Sequence, residues 1–347
     1  MNVDYIVVGC GLAGIAFCEQ LKAHNKRFVM FDDGSQQSSV VAGGLYNPVI
    51  LKRFTPVWKS KEQLKIALPM YQKMERDFDR VFDYKIPVLR LFHSVEEQNN
   101  WFAASDKASL SDWMATQIQP NHNPYIKADF GFGQVLHTGR IDTGRLIDVY
   151  QNALKAQGQL IAERFDYKAL QIEQSSIAYN TITAQNIVFA EGFGLKRNPF
   201  FKQLPLTGTK GELLTIHAPN LKLNAVLKST VFLIPLGADR YVVGATYNWN
   251  DKTNTPTQAA KDELLQKLDT FMTAPYTVVD HVAGIRPTVK DRRPLVGVHP
   301  DYCNMYVLNG LGTRGVMIAP YIAKQLFEAI EGSGTLDSEI DITRFKN

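Results

Sequence analysis

The chain has 347 residues, 45% of them hydrophobic and 21% charged, with a formal net charge of +4. That length supports a large core and predicts two domains; so mild a positive charge permits an anionic substrate or cofactor but does not by itself argue for nucleic acid. The three cysteines, Cys10, Cys18 and Cys303, form no CxxC pair and the histidines no zinc spacing, which suits a reduced cytoplasmic chain with no disulfide framework and no metal.

The opening "VDYIVV", residues 3–8, reads as a buried parallel strand. It carries no basic leader and its apolar run is broken by glycines, so it is not read as a signal peptide. No run of 18 apolar residues exists, so no membrane span is expected. A helix follows over 12–24, then a second strand, "KRFVMFDD" (26–33), completing a βαβ unit. Between first strand and helix, "VVGCGLAG" sets Gly9, Gly11 and Gly14 as G-x-G-x-x-G. The first allows the tight turn, the second lets backbone approach a pyrophosphate, and the third lets helix and strand pack closely. The helix N-terminus then meets the phosphates with its partial positive charge. Asp32, at the end of the second strand, is spaced to hold ribose hydroxyls, better than its neighbour Asp33; an acid there favours FAD or NAD over NADP.

Residues 35–50 form a polar, then glycine-rich loop. A long helix is expected over 57–80, with Leu64, Leu68, Tyr71, Met74 and Phe78 at helical spacing. Short strand-like pieces fill 83–135, and 138–158 reads as a turn and a helix stopped by Gly158. After "NIVFAEG" (186–192), the stretch 205–250 looks like antiparallel sheet, followed by a helix over about 257–273. The last segment holds "AGIRPTVKDRRPLVG" and "LNGLGTRGVMIAPYIAKQLFEAI", the latter a strand, a second glycine turn and a helix of about three turns. Pro320 is expected to kink that helix or to mark a later start. The pattern predicts an α/β chain, α+β overall. A Rossmann-like dinucleotide domain (1–82, 136–204 and 281–347) is interleaved with an antiparallel-sheet substrate domain (83–135 and 205–280).

In order and spacing, "SSVVAGGLYNP", "IVFAEGFG", "TGTKGELL", "YVVGAT", "GIRPTVKDRRPLVG" and "NGLGTRGVMIAP" resemble the FAD-dependent D-amino-acid oxidase superfamily. The branches it resembles are the glycine oxidase-like enzymes and the FAD domain of the bifunctional tRNA 5-methylaminomethyl-2-thiouridine maturation enzyme. The likeness covers nearly the whole chain, most weakly 83–135. It implies non-covalent FAD, since Gly284 aligns where covalent members carry a cysteine. Ser38 and Ser39 would sit near the pyrophosphate, and Gly43, Gly44 and Leu45 along the isoalloxazine. Tyr167 would flank the adenine through its backbone, while Ala190 and Gly192 belong to the turn closing over the dinucleotide. The second glycine turn, Gly310, Gly312, Thr313, Gly315 and Val316, would bring backbone to the flavin ring. Its helix N-terminus would then face N1 and the C2 carbonyl.

On the substrate side, an unpaired guanidinium at Arg286, ending an apolar strand, would be costly, and a bidentate substrate carboxylate would satisfy it. The family uses an arginine there for that purpose. Arg314 would assist or close the site, whereas Lys290, Arg292 and Arg293 read as a solvated basic loop. Where the glycine oxidase-like branch offers a tyrosine hydroxyl, this chain has Phe232, with Tyr247 as a substitute. Tyr46, Asn47 and Trp58 are expected to line the opening, and His281 to be merely packed or exposed. The resemblance implies oxidation of a C–N bond of a carboxylate-bearing amine such as glycine, sarcosine or a D-amino acid. Hydride would pass to flavin N5, with oxygen or an unknown carrier as electron acceptor. Two alternatives stay open: a tRNA wobble-uridine carboxymethylaminomethyl oxidoreductase, with the basic stretch 51–65 facing phosphates, and a non-catalytic FAD-binding subunit.

Overall fold

The computed structural model describes residues 1–174 and 176–345. Its first large sheet is built on the strand Asn2–Val8, which pairs in parallel with Phe28–Phe31 on one side and Ile182–Phe189 on the other. Met305–Asn309 continues the parallel order beyond Ile182–Phe189, and Leu295–Val298 closes that edge antiparallel. Phe28–Phe31 and the last residues of Asn2–Val8 and Ile182–Phe189 lack polar alternation because both faces are buried there, whereas Thr183 and Gln185 still alternate with Ile182 and Ala184 at the exposed end. Tyr5 and Val7 point into one core with the helices Leu12–Ala23, Thr143–Ala156 and Gly315–Ile330. Ile6 and Val8 point into another, with Phe165, Phe189 and Phe201.

The second large sheet has eight strands, drawn from both middle segments of the chain. Its order is Thr277–Arg286, Thr209–His217, Arg240–Gly244, Phe232–Gly237, Val226–Lys228, Val88–Leu91, Phe132–Val135 and Met114–Gln119. Leu264 and Leu268 of the helix Gln258–Asp269 pack among Leu214, Ile216 and Val243 on one face. The segment Thr277–Arg286 is one continuous strand of this sheet, so it runs straight across the boundary expected at 281. A small sheet of Leu45–Tyr46, Gly139–Ile141 and Asp83–Tyr84 lies apart from both; residues 139–141, expected as a turn, are strand because Gly44 and Ile141 pair there.

The closing helix, Gly315–Ile330, is 16 residues long and begins ahead of Pro320 instead of after it. A proline removes the N–H that would bind the carbonyl four residues back, here Val316. Tyr71, from the helix Ser60–Phe78, supplies the missing donor, its hydroxyl reaching the Val316 oxygen at 2.9 Å in the buried interface. Tyr71→Phe is therefore expected to cost about 1–3 kcal/mol, the penalty of a buried unsatisfied carbonyl, read as a lower midpoint in urea unfolding.

Candidate active site

Gly9 ends the first strand at φ +108°, and a Cβ there would fall 2.4 Å from the Ala190 carbonyl oxygen; one at Gly14 would fall 1.9 Å from the Gly9 oxygen. The strand, the turn and the helix Leu12–Ala23 are thus locked at a separation no side chain permits. Gly11 stands before that helix with no side chain to cap it, and a Cβ at Gly11 would crowd Ser39 Oγ at 3.1 Å. Ser39 Oγ itself accepts from the Leu12 N–H at 3.3 Å.

Around this turn opens a cleft that brings together Gly9, Gly11, Asp32, Ser38, Ser39, Tyr167, Ala190 and Gly192. The Asp32 carboxylate takes N–H donors from Cys10 and from Gly34, the latter at 2.6 Å. Burial nevertheless pushes its carboxyl above the usual range. An uncapped helix start, a cradle that a Cβ would fill and a buried acid at the second strand's end fit a dinucleotide lying across the cleft. Asp32→Ala is expected to weaken FAD retention at least tenfold, measured as flavin released on dilution and gel filtration.

Two cleft residues escaped the sequence reading. Glu191, inside the "AEG" already noted, is buried, and burial raises its pKa. It accepts from the Tyr167 hydroxyl and from Asn198 Nδ2, the latter at 2.7 Å. Asn309 ties two strand ends together, donating to the Gly192 oxygen at 2.9 Å.

The second glycine turn lies against the first. A Cβ at Gly315 would press on Leu12 Cδ1 at 3.0 Å, and Leu311 and Asn309 share the cleft wall with Gly9 and Gly11. Gly310 has φ +77° where a Cβ would strike Val289 and the Leu295 nitrogen. The Gly312 N–H donates to the Pro287 oxygen at 3.0 Å, which joins this turn to the arginine that precedes Pro287. Arg314 is the residue before the helix, again with no side-chain cap. Thr313 is exposed, whereas Val316 is buried and its carbonyl is taken by Tyr71.

Arg286 ends its strand with the guanidinium lying over Gly211, where a Cβ would come within 2.0 Å of Nη2. Nη1 donates to the Thr246 oxygen at 3.2 Å, and the group stacks 4.5 Å from the centre of the Tyr247 ring. Burial lowers the pKa of Arg286 and of Arg314, and the Tyr247 hydroxyl opposes the shift at both. Neither arginine forms an ion pair among the described residues. Arg293 behaves differently, pairing with Glu339 at 3.0 Å and stacking 5.1 Å over Trp58. Trp58 also donates to Glu339, at 2.8 Å.

Tyr46, read from sequence as lining the opening, is 2% exposed, and its hydroxyl is engaged by Asp83 at 2.7 Å and Lys85 at 3.0 Å. It packs where Gly139 leaves room, so it serves the core. Tyr247 is 60% exposed beside the arginines. Gly43 approaches Phe232 and Ile234 of the second sheet, while Gly44, at φ +69°, and Leu45 pair with the strand Gly139–Ile141. Gly284 lets Ser38 and Val41 close onto that sheet. In the basic stretch 51–65, Lys59 is bound to Asp337 at 2.7 Å and Lys61 stands 3.8 Å from Asp112.

Among the described residues, no helix is long and apolar enough to cross a membrane and no group of His, Cys, Asp and Glu could hold a metal. The chain is 25% identical over 339 residues to glycine oxidase of Bacillus subtilis, covering 92% of this chain and 90% of that one. It is 22% identical to the bifunctional tRNA 5-methylaminomethyl-2-thiouridine biosynthesis protein MnmC of Marinobacter nauticus, covering 94% of this chain but 55% of that protein. In three dimensions it matches glycine oxidase from Geobacillus kaustophilus over all of both chains, with a TM-score of 0.82 at 17% identity, which speaks for the fold alone. The model of the FAD dependent oxidoreductase family (DAO) matches residues 4–329, so this chain belongs to that family and is an enzyme whose cofactor is FAD.

Proposed function

We propose that the enzyme oxidises the C–N bond of a small carboxylate-bearing amine of the glycine, sarcosine or D-amino acid type. The observation that carries this reading is the pair Arg286 and Arg314, two half-buried guanidiniums without counter-ions among the described residues, the first stacked on Tyr247. Such a pair is stabilised by an anion that arrives with the substrate, and the fork of Arg286 suits a carboxylate held by two parallel bonds.

In this reading the first large sheet holds the cofactor and the second presents the substrate. Gly9, Gly11, Gly14, Asp32, Ser38, Ser39, Tyr167, Ala190 and Gly192 would hold the dinucleotide non-covalently. Gly43, Gly44, Leu45, Gly310, Gly312, Thr313, Gly315 and Val316 would serve its ring end. FAD supplies the two-electron acceptor. The chain's own contribution is orientation: Arg286 and Arg314 fix the carboxylate and so the α-carbon, and Tyr247 stacks on the clamp. The uncapped start of the helix Gly315–Ile330 adds positive potential beside them.

One feature favours a second substrate class. Tyr247 and Trp249 are 60% and 59% exposed on one loop next to Arg286, an arrangement on which an unstacked base can lie. A single experiment separates the readings: anaerobic bleaching of the bound flavin by glycine, sarcosine, D-amino acids, and tRNA carrying carboxymethylaminomethyl-uridine. Bleaching by the free amines is expected, and bleaching by the tRNA alone overturns the proposal. Following reoxidation by air against artificial acceptors then assigns oxygen or a carrier.

A further inference from the structure

On the Arg286 face of the second sheet stands another cation that carboxylate clamping does not use. The register sets Lys228 opposite Phe232, Phe232 opposite Gly244, and Gly244 opposite Leu213. Directly opposed residues share a sheet face, and the two-residue period puts Gly211 on that face with Leu213. The Arg286 guanidinium lies over Gly211. A row therefore crosses the face from Lys228, past the Phe232 ring, to the arginine.

The Phe232 ring marks the middle of this row and touches the loop that precedes the strand Leu45–Tyr46. A Cβ at Gly244 would lie 3.0 Å from Phe232 Cζ and one at Gly43 3.6 Å from it. Lys228 Nζ sits 5.7 Å from the ring centre. Among the described residues Lys228 forms no ion pair. Its neighbour Arg90 is committed to Glu97, its Nε donating at 2.7 Å, and it also donates to the Lys228 and Ser229 carbonyls. Burial, and then the charge of Arg90, push the Lys228 ammonium down to about 8. An unpaired amine in so poorly solvated a place is stabilised by an incoming anion.

We propose that Lys228 is a specificity-determining residue that receives the second anionic group of an aminodicarboxylate substrate. The first carboxylate is held by Arg286 and Arg314, and the intervening carbons cross the Phe232 ring. This rests on the carboxylate-amine reading above, and the test keeps the two apart. The oxidised holoenzyme is titrated with non-oxidisable acids at constant pH and ionic strength, following the flavin absorbance. Succinate and glutarate are expected to bind at least tenfold tighter than acetate and propionate. That ratio should collapse to about twofold in Lys228→Met and be largely kept in Lys228→Arg, which also shows that the site still folds.

Equal affinities in the unmodified enzyme, or a ratio that survives Lys228→Met, overturn the assignment. In turnover, iminodiacetate and aspartate should exceed glycine and sarcosine in kcat/KM, with the ratio lost in Lys228→Met. Amines that bleach the flavin without any dicarboxylate preference sink the Lys228 site and leave amine oxidation standing. A tight dicarboxylate site in an enzyme that no amine reduces does the reverse.

Discussion

Arg286→Ala is expected to lower kcat/KM for the amine substrate by roughly thirtyfold to several thousandfold while FAD content stays that of the unaltered enzyme. Removing one partner of a buried, hydrogen-bonded charge pair costs about 2–5 kcal/mol, and in the proposed reading the partner left behind is the substrate's carboxylate. The cofactor cleft is built from other residues, so flavin absorbance per mole of protein should not move. Gly211→Ala supplies an independent check. The new Cβ would lie within 2.0 Å of the guanidinium and must displace it, so the variant should reproduce most of the loss with Arg286 still present. Unchanged turnover in both variants would sink the clamp.

The second large effect is expected at Lys210, a lysine with no exposed surface in the second sheet. Its ammonium reaches Asp251 at 2.6 Å and Glu212 at 3.3 Å, and also donates to the Thr255 carbonyl. Its backbone pairs with Asn248 in both directions. Side chain and main chain therefore anchor the loop that begins with Tyr247. Lys210→Met takes the ammonium away from the buried Glu212 carboxylate, which keeps its Thr257 donors and the neighbouring His281, and is expected to cost about 3 kcal/mol, seen as a thermal midpoint lower by several degrees.

The same ion pair has a pH signature. Lys210 holds the Asp251 carboxyl down at about 2, below its unfolded value, so its stabilisation is fully present above pH 4 and is lost as pH falls through 2. Urea midpoints taken between pH 5 and pH 2 should fall less steeply in Lys210→Met than in the unaltered chain. Parallel slopes would show that the pair does not couple to folding.

What was legible from sequence follows from locality. The first glycine turn could be read because strand, turn, helix and acid lie within a few tens of residues, and each glycine has its own steric reason there. The helix Gly315–Ile330 was visible as an apolar period, but its true start was not. That depended on a hydroxyl from Tyr71, far away in the chain, filling the gap left by Pro320. Tyr46 looked like a site residue because it sits in "GGLYNP", beside the glycines expected along the isoalloxazine; its actual partner, Asp83, arrives through the pairing of distant strands.

Glu191 and Lys210 lie inside the motifs "IVFAEGFG" and "TGTKGELL", but nothing local marked them, or Lys228, as desolvated charges. A buried charge is recognisable only by what surrounds it, and their surroundings are assembled across sheets.

The sequence by itself determined the G-x-G-x-x-G turn, the family and the arginine beside Pro287, because short-range sterics and motif spacing dictate them. Tertiary structure alone decided that the two glycine turns lie together at Leu12 and Gly315 and that Arg286 rests over Gly211. It also decided that Arg286 stacks on Tyr247, whereas Arg293 is neutralised by Glu339. The physical reason is desolvation. Whether an arginine is a solvated surface charge or an anion trap depends on the carboxylates and apolar walls that folding brings around it, and no run of adjacent residues encodes those.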